Sequence, residues 1–118
     1  MKNNIVQTKS YLFALHTVSV CRKLQEVHKE YVLSKQLLRA GTSIGANIEE
    51  AIGGQSRKDF YAKLSIAYKE ARETKYWIRI LTDSAILSKT EGSRLLKDIE
   101  ELLRILASIL LSTRRNNS

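Results

Sequence analysis

No proline occurs among the 118 residues of this chain, and only five residues are glycine. Proline is the commonest interruption of an α-helix, because it lacks a backbone N–H and its ring clashes with the preceding turn. The remaining composition is dominated by Leu, Ile, Ala, Lys, Arg and Glu, as in helical proteins. The sequence therefore favours long, uninterrupted helices.

Apolar residues recur at helical spacing in four segments, about 4–27, 31–52, 56–84 and 89–113. The third segment is the most regular, because steps of four and three residues alternate in a heptad seam over three repeats. Its members are Phe60, Leu64, Ala67, Ala71, Thr74, Ile78 and Leu81. The seam of the second segment comprises Leu33, Leu37, Ala40, Ile44, Ile48 and Ala51. The seam of the first comprises Val6, Phe13, Thr17, Val20, Leu24 and Val27.

The links between these segments are short, and the second link contains Gly53 and Gly54, which suit the end of a helix. Short links between long helices force neighbouring helices to run antiparallel. The sequence therefore predicts an all-α fold, an antiparallel up-down-up-down four-helix bundle. We expect a single domain over residues 1–118, with a frayed tail at about 114–118.

The fourth segment carries two adjoining apolar seams. The first comprises Leu95, Ile99, Leu102, Leu106 and Ile109. The second comprises Leu96, Leu103 and Leu110. Two seams give a helix more apolar width than one neighbour covers. The segment is therefore either central in the bundle or faces another subunit. We predict a homo-oligomer built through the paired seams of this helix, with the second seam at the interface and the first or second helix contributing.

The middle of the second segment has low helix propensity, because it contains Gly41, Gly45 and several short polar residues. Small residues let another backbone approach closely. A polar ladder runs beside the apolar face: Arg39, Ser43, Asn47 and Glu50. We predict that Asn47 and Glu50 make structural contacts with the third helix, with Glu73 or a backbone group as partner. The alternative is a solvated polar face.

The formal net charge is +8, from 20 Lys and Arg against 12 Asp and Glu. Such an excess indicates phosphate-bearing partners or serves solubility. One flank of the third helix combines cations with tyrosines: Arg57, Tyr61, Tyr68, Arg72, Lys75 and Arg79. This pattern suits phosphate contacts and stacking on unpaired bases. It equally suits pairing with a neighbouring subunit, or plain solvated surface.

Nothing in the sequence predicts catalysis, a cofactor or a metal site. The two histidines, His16 and His28, belong to no Glu-x-x-His pair of the kind that di-metal bundles use. Cys21 is the only cysteine, and a lone helical cysteine is usually a packed small hydrophobe. No signal peptide or membrane span is visible, so we expect a cytoplasmic protein that does not enter a membrane.

Two runs of the sequence carry a family resemblance. The segment "LSKQLLRAGTSIGANIEEA", followed by "SRKDFYAKLSIAYKEARETKYWIRIL", resembles a bacterial four-helix-bundle family. That family includes the proteins encoded in intervening sequences of 23S rRNA genes and the accessory variability-determining proteins of diversity-generating retroelements. The motif residues are Ser43, Ile44, Asn47, Ile48 and Glu50, then Ala67, Ala71, Glu73 and Thr74. The chain departs from the pattern at Ala51 and at Lys69-Glu70, where many members have glycine and Gly-Ser.

The resemblance implies a cytoplasmic bundle that assembles into a ring, typically a pentamer, with a basic surface that associates with nucleic acid and no known catalysis. Two functional hypotheses follow. The first is a non-enzymatic oligomer that binds structured RNA, ribosomal or other, or an RNA–protein complex, with DNA as the less favoured ligand. The second is a scaffold or adaptor that recruits a protein partner and uses its charge for solubility.

Overall fold

Four helices account for the chain in the computed structural model, which describes the backbone of residues 2–116 and the side chains of residues 5–114. Helix α1 spans Lys2–Glu26, α2 Val32–Ile52, α3 Arg57–Asp83 and α4 Lys89–Asn116. Within the described backbone there are no strands. The all-α fold class predicted from the helical periodicity is confirmed, and helix α4 continues three residues beyond its expected end.

Each helix packs against the helices that precede and follow it in the chain, and α1 also packs against α4. The heptad seam of α3 is buried from Leu64 to Leu81, and Phe60 is half-buried against the same core. The first seam of α4 is buried from Leu95 to Ile109. The periodicity of these two helices therefore identified the faces that form the core.

The apolar face of α1 ends earlier than its spacing suggested. Val6, Phe13, Val20 and Leu24 are buried, but Val27 is 65% exposed. The reason is that α1 ends at Glu26, so Val27 already belongs to the turn and leaves the helical face. The spacing of Val27 was therefore a wrong guide to its burial.

The start of α2 is capped by Glu30, a residue that precedes the helix. Its carboxylate accepts hydrogen bonds from the backbone N–H groups of Val32, Leu33 and Ser34 at 3.1, 3.0 and 2.7 Å. Partial burial opposes its ionisation, but these three donors outweigh it and lower the pKa of Glu30. A negative charge at this place also interacts favourably with the positive end of the helix dipole.

Helix α3 begins with a side-chain cap and ends without glycine. The hydroxyl oxygen of Ser56 accepts a hydrogen bond from the backbone N–H of Asp59 at 3.1 Å. At the other end, Ile86 and Ala85 donate backbone hydrogen bonds to Leu81 and Thr82, the pattern of a Schellman cap. Ala85 therefore occupies the left-handed position, with φ 62°, that glycine usually fills.

Candidate nucleic-acid interface

A groove of about 770 Å³ opens between α3 and α4. Its lining residues are Tyr68, Arg72, Glu73, Lys75, Tyr76 and Arg79 of α3, with Leu103 of α4. The α3 residues lie at successive turns outside the buried seam of that helix. Four of the six residues of the predicted basic flank, all but the first two, are therefore brought together in one concave surface.

The cations of this groove differ in their availability. The ammonium of Lys75 lies 3.3 Å from a carboxylate oxygen of Glu100 on α4, so its charge is already paired across the two helices. Arg72 and Arg79 are exposed, and neither makes an ion pair with any of residues 5–114. These two guanidinium groups are therefore the ones that can receive an anion without first breaking an internal contact.

The other two residues of the predicted flank lie nearer the start of α3. Arg57 is the first residue of the helix and is exposed, and Tyr61 is part-buried one turn later. Tyr61 precedes Tyr68 by seven residues, which is about 10 Å along a helix axis. Neither residue lines the groove.

The groove is backed by a polar chain that reaches α2. The indole N–H of Trp77 donates a hydrogen bond to Glu73 at 2.9 Å, and the guanidinium of Arg39 pairs with both Glu73 and Glu70. The Trp77 hydrogen bond, together with Arg39, lowers the pKa of Glu73 despite partial burial. Glu73 is therefore ionised, and it pairs with Arg39 rather than with Arg72 or Arg79.

The polar ladder of α2 is arranged differently from the expectation. Glu73 pairs with Arg39, rather than with Asn47 or Glu50. The side-chain amide of Asn47 donates to the carbonyl of Ser43 at 2.9 Å, and the Ser43 hydroxyl donates to the carbonyl of Arg39 at 2.6 Å. Both of these hydrogen bonds stay within α2, because side chains one turn apart reach their own backbone first.

Two members of the ladder do connect α2 to α3. Arg39 forms the pairs with Glu70 and Glu73, and the carboxylate of Glu50 lies 2.7 Å from the ammonium of Lys63. The helix contact thus comes from the long charged side chains at the two ends of the ladder. Asn47 is part-buried between them.

The largest group of exposed apolar side chains lies on α1, whereas the second seam of α4 is part-buried. Leu96, Leu103 and Leu110 are part-buried and pack against the core. Leu103 of this seam lines the α3–α4 groove. The outward side of α1 instead carries half-exposed apolar residues: Ile5 at 50%, Tyr11 at 64%, Leu12 at 57% and Leu15 at 51%.

Tyr76 is the groove residue that sequence reasoning missed. It follows Arg72 by four residues and precedes Arg79 by three, so all three share one side of α3. That spacing was the available signal. Tyr76 is 54% exposed, and the centroid of its ring lies 5.2 Å from that of Trp77 in an edge-to-face contact.

Cys21 is packed in the core and His16 contacts a neighbouring helix, whereas His28 is exposed. Cys21 is buried, and burial together with the nearby charge of Glu30 raises the pKa of its thiol to about 12, so the thiol is protonated at neutral pH. A ring nitrogen of His16 lies 3.0 Å from Glu91 on α4.

Among residues 5–114, no three His, Cys, Asp or Glu side chains cluster closely enough to hold a metal ion. No helix in the described part is both long and apolar enough to cross a bilayer.

Fold and groove together define an all-helical protein of four helices with an open basic surface between the last two. The family model of the 23S rRNA-intervening sequence protein matches residues 2–108. The chain therefore belongs to this family, and the resemblance carried by its second and third helices is confirmed.

A solved structure extends the comparison. The chain is similar to a protein of unknown function from the S23 ribosomal protein family of Bacteroides thetaiotaomicron VPI-5482, known from a crystal structure. The two share 45% identity and superpose with a TM-score of 0.91, over 93% of this chain and 98% of the other. A comparison with curated proteins gives no match.

Proposed function

We propose that this chain is a non-enzymatic RNA-binding protein whose α3–α4 groove contacts the phosphate backbone. The observation that carries the proposal is the pair Arg72 and Arg79, exposed on one side of α3 and without an ion-pair partner among residues 5–114. Guanidinium groups bind phosphate with two parallel hydrogen bonds. The net charge of +8 and membership of a family named for intervening sequences of 23S rRNA support the same conclusion. DNA carries the same phosphates and is the less favoured ligand.

The test is the salt dependence of RNA binding. Because each neutralised phosphate of a single strand contributes about −0.7 to the slope of log K against log salt, the variant Arg72→Gln/Arg79→Gln should flatten the slope by about 1.4. The matched control is Arg22→Gln/Lys35→Gln, which removes two exposed cations of α1 and α2. The proposal fails if the parent does not bind RNA at low salt, or if both double variants change the slope equally.

We also infer that the protein works as a homo-oligomer. The half-exposed apolar residues on the outward side of α1, Ile5, Tyr11, Leu12 and Leu15, supply the surface that such an interface needs. A ring, typically of five subunits as the family resemblance implies, would repeat the two arginines around an axis. Repetition turns a weak site into a useful one, because the second contact is intramolecular.

The contacts between helices support an antiparallel up-down-up-down bundle as the subunit of this oligomer. Gln7 near the start of α1 contacts Glu49 near the end of α2, whereas Gln25 near the end of α1 contacts Ser34 near the start of α2. A pair of contacts in reverse order is expected of antiparallel helices. A free, buried cysteine is compatible with a reducing compartment, and we place the protein in the cytoplasm.

One observation favours a second candidate function, that of a scaffold. The outward side of α1 is apolar enough to receive a helix of a different protein in place of a second copy. In that case RNA would bind weakly or not at all, and partner binding would persist at high salt. Salt dependence therefore separates the two functions.

A further inference from the structure

Aromatic and basic side chains alternate along the outward side of α3. Tyr68, Arg72, Tyr76 and Arg79 follow one another at spacings of four, four and three residues. All four line the α3–α4 groove, and Tyr76 lies between the two arginines. Arg72 and Arg79 are seven residues apart, which is about 10 Å along the helix. A planar ring is thus flanked by a cation on each side.

A contact with Trp77 restrains the ring of Tyr76. It meets Trp77 edge to face, with 73° between the ring planes, and Trp77 itself packs against the core. The indole N–H of Trp77 is fixed by Glu73, which Arg39 of α2 holds in turn. Because the contact is edge to face, at least one face of the Tyr76 ring has no aromatic partner in it. A ring already restrained by its neighbours loses less conformational entropy when a ligand stacks on it.

We propose that Tyr76 is a base-stacking platform and that the ligand of the groove is unpaired RNA rather than duplex RNA. The inference rests on the proposed function and specifies its ligand. In a duplex each base is stacked between its neighbours, whereas unpaired bases present their faces to aromatic side chains. A nucleotide stacked on Tyr76 would place its flanking phosphates towards Arg72 and Arg79.

An exposed tyrosine has no special meaning by itself, and Tyr31 is the matched case in this chain. Tyr31 and Tyr76 are similarly exposed, at 56% and 54%. Tyr31 lies at the start of α2, and its neighbours at positions 27, 28, 34 and 35 include no arginine. Only Tyr76 has a guanidinium one turn before it and another one turn after it, so Tyr31→Ala is the control for the loss of an exposed ring.

The experiment compares two fluorescently labelled RNAs by anisotropy, each of about 12 nucleotides per strand to match the size of single-strand sites. One is a single strand without self-complementarity, and the other is the corresponding duplex. Tyr76→Ala should weaken single-strand binding about 5- to 150-fold, the factor that corresponds to one stacked base, and leave duplex binding unchanged. Tyr76→Phe should bind like the parent, because stacking needs the ring and not the hydroxyl. Tyr31→Ala should also bind like the parent.

Trp77 supplies a second readout, since it is the only tryptophan in the chain. Its emission should change when the single strand binds and not when the duplex binds, because the stacked base lies beside the Tyr76–Trp77 pair. This measurement needs no substitution, so it does not depend on how a variant folds.

The outcomes distinguish this inference from the proposed function. If Arg72→Gln/Arg79→Gln loses single-strand binding while Tyr76→Ala retains it, the groove binds phosphate and the stacking inference is wrong. Equal losses for single strand and duplex in Tyr76→Ala overturn it as well. If the parent binds neither RNA at low salt, the proposed function fails and the inference fails with it.

Discussion

Gly41 of α2 lies directly against Thr17 of α1, so closely that the Cβ of an alanine at position 41 would come 2.8 Å from Thr17 Cγ2. Thr17 is buried and its hydroxyl donates to the carbonyl of Phe13, so it has little freedom to move away. The glycine in the middle of α2 is therefore a packing requirement. Gly45, one turn later, faces α1 with more room, since its Cβ would meet Ser10 at 3.5 Å or more.

Gly41→Ala should lower the free energy of unfolding by about 1–2 kcal/mol, since the clash outweighs the gain in helix propensity. Gly45→Ala is the control and should be neutral or stabilising by up to about 1 kcal/mol. Urea unfolding followed by circular dichroism measures both. Thr17→Ala added to Gly41→Ala should recover part of the loss, because it removes the atoms that clash. A Gly41→Ala protein as stable as Gly45→Ala would contradict this account of the contact.

Glu30→Ala should cost about 0.5–2 kcal/mol at pH 7, as for other lost helix caps. Glu30→Gln tests how much the negative charge of Glu30 contributes to this stabilisation. The pKa of Glu30 is lowered in the folded protein. The ionised carboxylate therefore makes its full contribution to the free energy of unfolding above the ordinary glutamate pKa of about 4.3. That contribution is lost as pH falls through the lowered value. The stability difference between parent and Glu30→Gln should therefore be constant above about pH 5 and shrink below it.

Unfolding by urea at a series of pH values checks this prediction. Glu26→Gln is a suitable control, because Glu26 is exposed at the end of α1 and accepts no such set of backbone hydrogen bonds in the described part of the chain. A Glu30→Gln difference that does not vary with pH would show that the charge of Glu30 is not what stabilises the start of α2.

Ala85→Gly should stabilise the protein by about 0.5–1 kcal/mol. Ala85 has φ 62°, which costs about 1–2 kcal/mol for a residue with a Cβ, and glycine removes that cost while adding some entropy to the unfolded chain. Ala46→Gly makes the same chemical change at an exposed position inside α2 and should destabilise by about 1 kcal/mol. Thermal unfolding of the two variants should therefore shift in opposite directions, and a shift of both to lower temperature would count against the prediction.

Leu12→Glu/Leu15→Glu should reduce the oligomer to smaller species without unfolding the subunit. Both leucines are more than half exposed on the outward side of α1, so the charges clash with a partner and not with the core. Light scattering after size-exclusion chromatography gives the mass, and circular dichroism checks the fold. Leu103→Glu is the comparison: Leu103 is part-buried between α3 and α4, so we expect it to lower stability more than it changes the mass. A monomeric parent at micromolar concentration would end the proposal of self-association.

Much of the fold could be predicted because helical periodicity is a local property. The alternating steps from Phe60 to Leu81 and the seam from Leu95 to Ile109 identified the buried faces. The ends of helices without glycine or serine were harder to predict. The Glu30 cap depends on a side chain that folds back onto the next turn, and the cap at Ala85 uses a residue with no preference for its conformation.

The sequence by itself determined which residues could share a side of a helix, and so it predicted the basic flank of α3 that includes Arg72 and Arg79 and the apolar seams of α4. Only the tertiary structure decided which of those sides meet a neighbour. Packing of α4 against α3 covers much of Leu103, pairs Lys75 with Glu100, and leaves Arg72, Tyr76 and Arg79 lining a groove. The physical reason is that spacing along a helix fixes direction around its own axis, whereas exposure and pairing depend on the long-range packing of helices far apart in sequence.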